Sequence, residues 1–323
     1  MKAAQPYVMP ALAALTLVLA LASLATGPAG MSFGGTEQAW LIFSEIRLPR
    51  TLLGVLVGAA LGMSGAALQG YLRNPLAEPG IIGISGGAAL GAVLAIHTGL
   101  AASFAIGLPL GALAGAAGAM AVVLWLAGER GGPITLILAG VAVASLTTAL
   151  IALVLTLSQN PFAAVEIVYW LMGSLGDRSM RHVWLAAPPI LLGLVVLSRL
   201  GRDLNALTLG EEVAANLGTS LLRLRLLVVT GTALAVGAAT AVSGTIGFVG
   251  LIVPHILRPL VGHVPSRLLP ASALGGAALV LAADLGLRVI SPGGAMRLGV
   301  LTALIGTPFF VWLVVSTRRE LAP

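Results

Sequence analysis

Apolar residues in this chain gather into runs of helix-spanning length, and charges, prolines and glycine pairs gather between them. A helix needs about 20 apolar residues to cross the hydrocarbon layer, so such runs read as membrane spans. Ten segments follow, near 8–26, 48–70, 81–97, 102–127, 134–157, 183–200, 226–243, 248–262, 270–290 and 298–317. The eighth is too short to cross alone and reads as a half-helix whose non-helical flank is sheltered by protein. The first, Val8 to Thr26, follows Lys2; it is long for a secretory signal and many spans follow it, which favours an uncleaved first span.

The second segment carries the pattern that organises the rest. From Leu52 to Leu68 it has no charge and is crowded with Gly and Ala, and it stops at Arg73-Asn74-Pro75 with Pro79 beyond. Its punctuation recurs. Arg50, Gly62 and Pro79 return as Arg225, Gly237 and Pro254, each 175 positions later (225−50, 237−62, 254−79). Pro109, Leu113, Gly115, Ala116 and Ala117 return as Pro270, Leu274, Gly276, Ala277 and Ala278, each 161 positions later (270−109). Five crossings separate the starts of the second and seventh segments, so the two copies enter the membrane from opposite faces. The expectation is an all-α polytopic membrane protein of about ten transmembrane helices with an inverted repeat. Its halves cover approximately 47–157 and 223–317 of a single domain, 1–323.

Two stretches interrupt the apolar pattern. The longer, Arg199 to Arg225, places Leu204, Leu207, Val213 and Leu217 among charges, breaks at Gly210, and offers Gly218 as a helix cap. It reads as two short amphipathic helices near 203–219 whose apolar residues form a docking surface. The other, Ser158 to His182, centres on Val165 to Leu171, a short interfacial helix with Tyr169 and Trp170 at headgroup level.

Composition narrows the class. A hydrophobic fraction of 58%, 9% charge and a mean hydropathy of +1.05 exclude a soluble domain, whose charged fraction is nearer ~25%. The 42 glycines allow helices to approach closely, as membrane packing requires. A net charge of +6 arises from basic residues scattered at segment ends, which argues for membrane orientation and against nucleic acid. With the N-terminus cytoplasmic, eleven Lys and Arg fall inside and six outside, favouring both termini inside.

Chemistry is sparse. There is no cysteine, no Walker-type nucleotide loop, and the four histidines are dispersed, so neither a metal, a cofactor nor catalysis by this chain is expected. Asp284 and Arg288 lie four apart on one helix face and read as a structural ion pair. Arg47 and Arg50, three apart, reach the same outer level as Arg288. Interfacial snorkelling is one reading; a cationic surface for an acidic partner or an anionic substrate is the favoured one.

At these residues the chain resembles the FecCD-type permease subunits of binding-protein-dependent ABC importers for iron-siderophores, haem and cobalamin. The resemblance runs from about Ile46 to Leu313. It rests on IRLPR (Ile46 to Arg50), LVGAAL, SGA and Gln69, NPLAEPG (Asn74 to Gly80) and LAGVA (Leu138 to Ala142). It continues in GEEVAANLG (Gly210 to Gly218), GFVGLIVPHILR (Gly247 to Arg258), Asp284 with Arg288, and GVLTALIGTPFFVWL (Gly299 to Leu313).

The resemblance implies a homodimer in the bacterial inner membrane with a translocation path along its twofold axis. It implies two ATPase subunits docked through Leu204, Leu207, Gly210, Glu211, Ala214, Leu217 and Gly218, and a periplasmic or lipid-anchored binding protein docked on Arg47, Arg50 and Arg288. The family's cytoplasmic gate maps to Gly132, Pro133 and Ile134, where GGPI replaces small hydroxylated residues. A second departure is AMRLG (Ala295 to Gly299), where many relatives have an acidic residue and a proline ahead of the glycine; Arg297 adds another outward cation. The rival reading is an ion-gradient-driven secondary carrier with an inverted repeat.

Overall fold

A computed structural model of the chain describes residues 5–27, 30–31, 37–104, 106–128, 131–291 and 296–321. Lys2 and Ala295, used above, lie outside them, as does Arg130, one of the eleven basic residues counted inside. The chain opens with α1 (Gln5–Ala25), a two-residue antiparallel ladder of β1 (Thr26–Gly27) with β2 (Gly30–Met31), and α2 (Glu37–Ile42). A π-helical turn, Phe43–Arg47, leads into α3 (Leu48–Leu72), and a 3₁₀ turn, Pro79–Ile82, precedes α4 (Ile84–His97). Then come α5 (Leu100–Ser103), α6 (Gly107–Ala127), α7 (Pro133–Leu157), α8 (Pro161–Leu171) and α9 (Met180–Ser198). Two short helices follow, α10 (Gly201–Leu207) and α11 (Glu211–Asn216). The last four are α12 (Leu221–Ser243), α13 (Val249–Leu257), α14 (Pro265–Ile290) and α15 (Leu298–Leu321).

Eight of these stretches are long and apolar enough to cross a membrane, and α4 and α13 complete the ten expected segments as shorter apolar pieces. The second segment differs from expectation at its start. Helix continues unbroken from Glu37 through Leu72, because backbone hydrogen bonding carries on where Glu45 and Arg47 end the apolar run. The short interfacial helix is α8, starting four residues ahead of the expected Val165–Leu171 stretch, with Asn160 capping it by accepting from the Phe162 N–H at 3.0 Å.

The core is a crossing of α3 with α14. A Cβ placed on Gly58 would lie 2.3 Å from the Gly276 carbonyl oxygen, one on Gly62 would lie 2.0 Å from that of Ser272, and one on Gly276 would lie 2.1 Å from that of Gly58. Only glycine fits, and the two backbones touch. The same device joins α4 to α6, where Gly91 meets the Gly111 carbonyl and Gly115 meets that of Gly87.

The two repeat copies run in opposite directions. Tyr71, at the end of α3, shares a cavity with Arg225, at the start of α12. At the opposite end, Leu175 packs on Gly54 near the start of α3, while the Ser174 N–H bonds to Ser243 O, the last residue of α12, at 2.7 Å. Helices α3 and α12 are therefore antiparallel neighbours. Helices α6 and α14 repeat the relation: α6 finishes beside Arg225, and α14 begins where Ser266 meets Asn205 of α10. The inversion read from the 175- and 161-residue offsets is present in three dimensions.

Because the Gly62 crossing has no spare volume, Gly62→Ala is expected to destabilise the fold by roughly 1–3 kcal/mol. Gly118→Ala, at a site with open space around it, leaves stability nearly unchanged. Thermal melting of the purified protein in one detergent compares the two.

Candidate translocation cavity and its two ends

A cavity of about 750 Å³ lies where both repeats interrupt their helices. Its walls come from the break after α3 (Glu78, Pro79, Gly80), the break before α13 (Thr245 to Phe248), the end of α8 (Leu171, Met172) and the first half of α15 (Gly299 to Pro308). Helix breaks belong here physically, since their freed backbone groups must be met by protein. Phe248, held at a positive φ of 67°, starts α13, and its N–H donates to Glu78 Oε2 at 3.3 Å. Its ring fills the space above Gly306 of α15. Burial pushes the Glu78 carboxyl above the ordinary glutamate range, and the Phe248 N–H counters this.

One floor of the cavity is the backbone of α13 pressed onto α3. A Cβ on Gly65 would lie 2.0 Å from the Gly250 carbonyl. Buried Gln69 braces that contact by donating Nε2 to the carbonyls of Gly250 and Leu251 at 3.2 and 3.4 Å. Its Oε1 accepts from Arg258 Nη2 at 2.6 Å.

At one end of the bundle Asp284 is 1% exposed, a position where a lone carboxylate is costly. Arg50 donates Nε to its two oxygens at 3.1 and 3.0 Å and Nη2 at 2.8 Å. Arg288 donates Nη2 at 2.6 Å and Nε at 3.1 Å, and its Nη1 reaches the Ser23 and Thr26 carbonyls of the first helix and its flank at 3.0 and 2.9 Å. Arg47, 6% exposed, donates to the Leu24 and Ala25 carbonyls at 3.3 and 3.2 Å. The end of α1 is thus pinned by two arginines.

At the other end, α10 and α11 lie flat against the bundle. Leu204, Leu207 and Ala214 are buried, Leu204 against Gly70 of α3. Leu209, Val213 and Leu217, spaced four apart, are all exposed. Glu211 pairs with Arg73 at 3.0 Å in an exposed bridge, worth about 0–1 kcal/mol. Gly218 takes a positive φ of 89° just past α11, and the Thr219 N–H closes the helix end on Ala214 O at 3.0 Å. Between these helices and the start of α7 is a second cavity of about 320 Å³, lined by Tyr71, Gly131, Gly132, Pro133, Glu211 and Arg225 among others. Arg225 donates Nη2 to Gly128 O at 2.5 Å and Nη1 to Gly131 O.

Residues 11–316 match the FecCD transport family. The chain belongs to that family. It is 38% identical to the hemin transport system permease protein HmuU of Yersinia pestis over 95% of this chain and 94% of that protein. It is 40% identical to the vitamin B12 import system permease protein BtuC of Escherichia coli over 95% and 94%. A solved structure described as an inward-facing conformation of a metal-chelate type ABC transporter superposes with a TM-score of 0.88 at 36% identity, covering 96% of this chain and 99% of that one. This FecCD chain is a multi-pass membrane permease.

Within this permease the expected site residues divide in two. Leu217 and Gly218 are exposed, Gly210 and Glu211 are partly so with Glu211 turned toward Arg73, and Leu204, Leu207 and Ala214 are buried and anchor those helices. The exposed apolar residues here are Val213 and Leu217, four apart on α11 and its cap, and Leu209 in the turn ahead of Gly210. The cationic surface expected of Arg47, Arg50 and Arg288 also differs. Their donors turn inward onto Asp284 and α1 carbonyls, because buried acceptors hold a guanidinium better than an interface does. Gly132, Pro133 and Ile134 open α7, with Ile134 exposed.

Asp284→Asn removes the charge that neutralises two largely buried guanidiniums, and a loss of about 3 kcal/mol is expected. Arg73→Ala, which breaks only the exposed bridge, costs under about 1 kcal/mol. Comparative melting of the two variants measures the difference.

Proposed function

We propose that this permease works as a pair of copies in a bacterial inner membrane, with both termini cytoplasmic, and moves an iron complex, haem or cobalamin delivered by a periplasmic or lipid-anchored binding protein. Two ATPase subunits drive it. The observation that carries this reading is the exposed apolar patch of Leu209, Val213 and Leu217, on α11 and the turns at its two ends, outside the spans and between the repeat halves. Apolar residues at helical spacing on a charged surface helix suit insertion into a partner's groove.

Closure of an ATPase pair would press on α11. From there the physical connections run two ways: through Glu211 and Arg73 to the end of α3, and across the small cavity to Arg225 and the Gly128 and Gly131 carbonyls ahead of α7. Gly132, Pro133 and Ile134 are the gate region in this scheme. The large cavity at the helix breaks is the path's midpoint, in keeping with binding near repeat boundaries in inverted-repeat transporters.

Docking of the binding protein follows the charge at the Asp284 end. Arg47, Arg50 and Arg288 against Asp284 leave a net +2 there (3−1). Arg50 and Arg288 keep side chains 22% and 14% exposed, so an acidic partner meets a field from partly covered guanidiniums and not free side chains.

Val213→Asp and Leu217→Asp are expected to release the ATPase on co-purification while leaving the melting temperature unchanged. A complex that survives both refutes the coupling surface. In proteoliposomes, ATP-dependent uptake supports the importer, and uptake driven by a proton gradient without ATP supports the secondary carrier.

A further inference from the structure

A further cavity, of about 320 Å³, opens where α9 ends and α12 begins. Its wall carries Arg199 just past the end of α9, Asp203 of α10 and Arg223 in the first turn of α12, above an apolar lining that includes Val196, Leu224 and Leu227. Close helix packing sets the two arginines at one level. A Cβ on Gly193 of α9 would lie 2.6 Å from the Gly231 carbonyl oxygen of α12, and one on Gly231 would lie 2.9 Å from the Leu197 side chain. From that crossing α9 runs into α10, while α12 runs back toward α11. Arg199 is six residues along one helix (199−193) and Arg223 eight along the other (231−223), or about 9 and about 12 Å at 1.5 Å per residue.

Both arginines are exposed, and among the described residues neither guanidinium has a hydrogen-bond or ion-pair partner. Asp203 accepts from the Thr219 hydroxyl at 3.3 Å and joins neither arginine in an ion pair. The wall therefore keeps a net +1 (2−1). Snorkelling accounts for a single arginine at a span end; it does not account for two that share one cavity with an apolar lining.

Depth selects the ligand. Arg199 follows the last residue of the span Met180–Ser198, and Arg223 lies two residues into the span Leu221–Ser243 (223−221), the level at which phospholipid phosphates meet the hydrocarbon. Exposed Val195 and Leu192 lead down α9 from Arg199 at spacings of four and three, and exposed Leu226 lies three residues along α12 from Arg223. A cationic cavity above open apolar helix faces is complementary to a headgroup with acyl chains beneath it. A soluble anion would use only the upper half.

We propose that this cavity binds one anionic phospholipid, its phosphodiester held between Arg199 and Arg223 and its acyl chains laid on the open faces of α9 and α12. A wall of net +1 matches a headgroup of net −1, and Asp203 accepts from a hydroxyl of a glycerol headgroup. Arg199 and Arg223 flank the α10–α11 segment, so a lipid held by both ties its two roots together. The site requires the membrane fold alone and stands apart from the importer reading.

The test titrates the purified full chain in detergent with dioleoyl phosphatidylglycerol or dioleoyl phosphatidylcholine and counts lipid adducts by native mass spectrometry. Phosphatidylglycerol is expected to bind about tenfold more tightly than phosphatidylcholine. Arg199→Gln and Arg223→Gln each weaken phosphatidylglycerol binding about fivefold and the double variant about 25-fold, with lipid-free melting unchanged. Arg199→Lys and Arg223→Lys keep most of the binding, and Arg202→Gln, exposed and outside the cavity wall, leaves it nearly unchanged. Equal affinity for the two lipids, full binding by the double variant, or an Arg202→Gln loss as large as the other two overturns the site. Millimolar inorganic phosphate leaves the adducts in place; displacement by it makes this a soluble-phosphate site and overturns the lipid. Gln variants that release a co-purified ATPase while keeping phosphatidylglycerol affinity assign the arginines to a protein partner and overturn it as well.

Discussion

Direct backbone contact between α3 and α14 is the constraint on which the rest of the bundle depends. Lipid offers no hydrophobic gain for pressing two apolar helices together, so the attraction comes from dispersion across a close interface. Gly58, Gly62 and Gly276 supply that closeness, and it places Arg50 beside Asp284 at one end and Tyr71 beside the short surface helices at the other. Gly65 against Gly250 extends the contact to α13 and so forms one wall of the cavity.

The inverted repeat reuses one side chain for two purposes. Arg50 and Arg225 occupy corresponding positions, and each reaches from a central helix to the end of a neighbour. In the second half the neighbour provides a carboxylate, Asp284; in the first half the corresponding helix, α6, ends in bare carbonyls that accept from Arg225. Helix C-termini carry partial negative charge, so both arrangements suit a guanidinium. The carboxylate version locks one end of the bundle. The carbonyl version ties the end of α6 and the start of α7 to α12, beside α10 and α11.

Function in this molecule is a matter of placement. The cavity sits where helices stop, since only there does backbone polarity face inward without being satisfied by its own helix. The exposed apolar patch around α11 sits where the chain leaves the apolar layer between its halves. Arg73, Glu211 and Arg225 join that surface to the end of α3 and the start of α12.

Much of this was determined by the sequence alone. Spans follow from unbroken apolar length, the inversion from Arg50, Gly62 and Pro79 recurring with an odd number of crossings between, and the membrane class from charge scarcity. Local rules act over a few residues and survive translation into three dimensions. Facing does not. Leu204 and Leu217 are the same residue type thirteen positions apart, yet one is buried on Gly70 and the other exposed, because a short helix exposes whichever side its neighbours leave uncovered. Arg47, Arg50 and Arg288 read as a surface in the sequence, whereas α1 and Asp284 supply their acceptors in the fold. Partners distant in the chain are chosen by tertiary contact, which no single-residue pattern encodes.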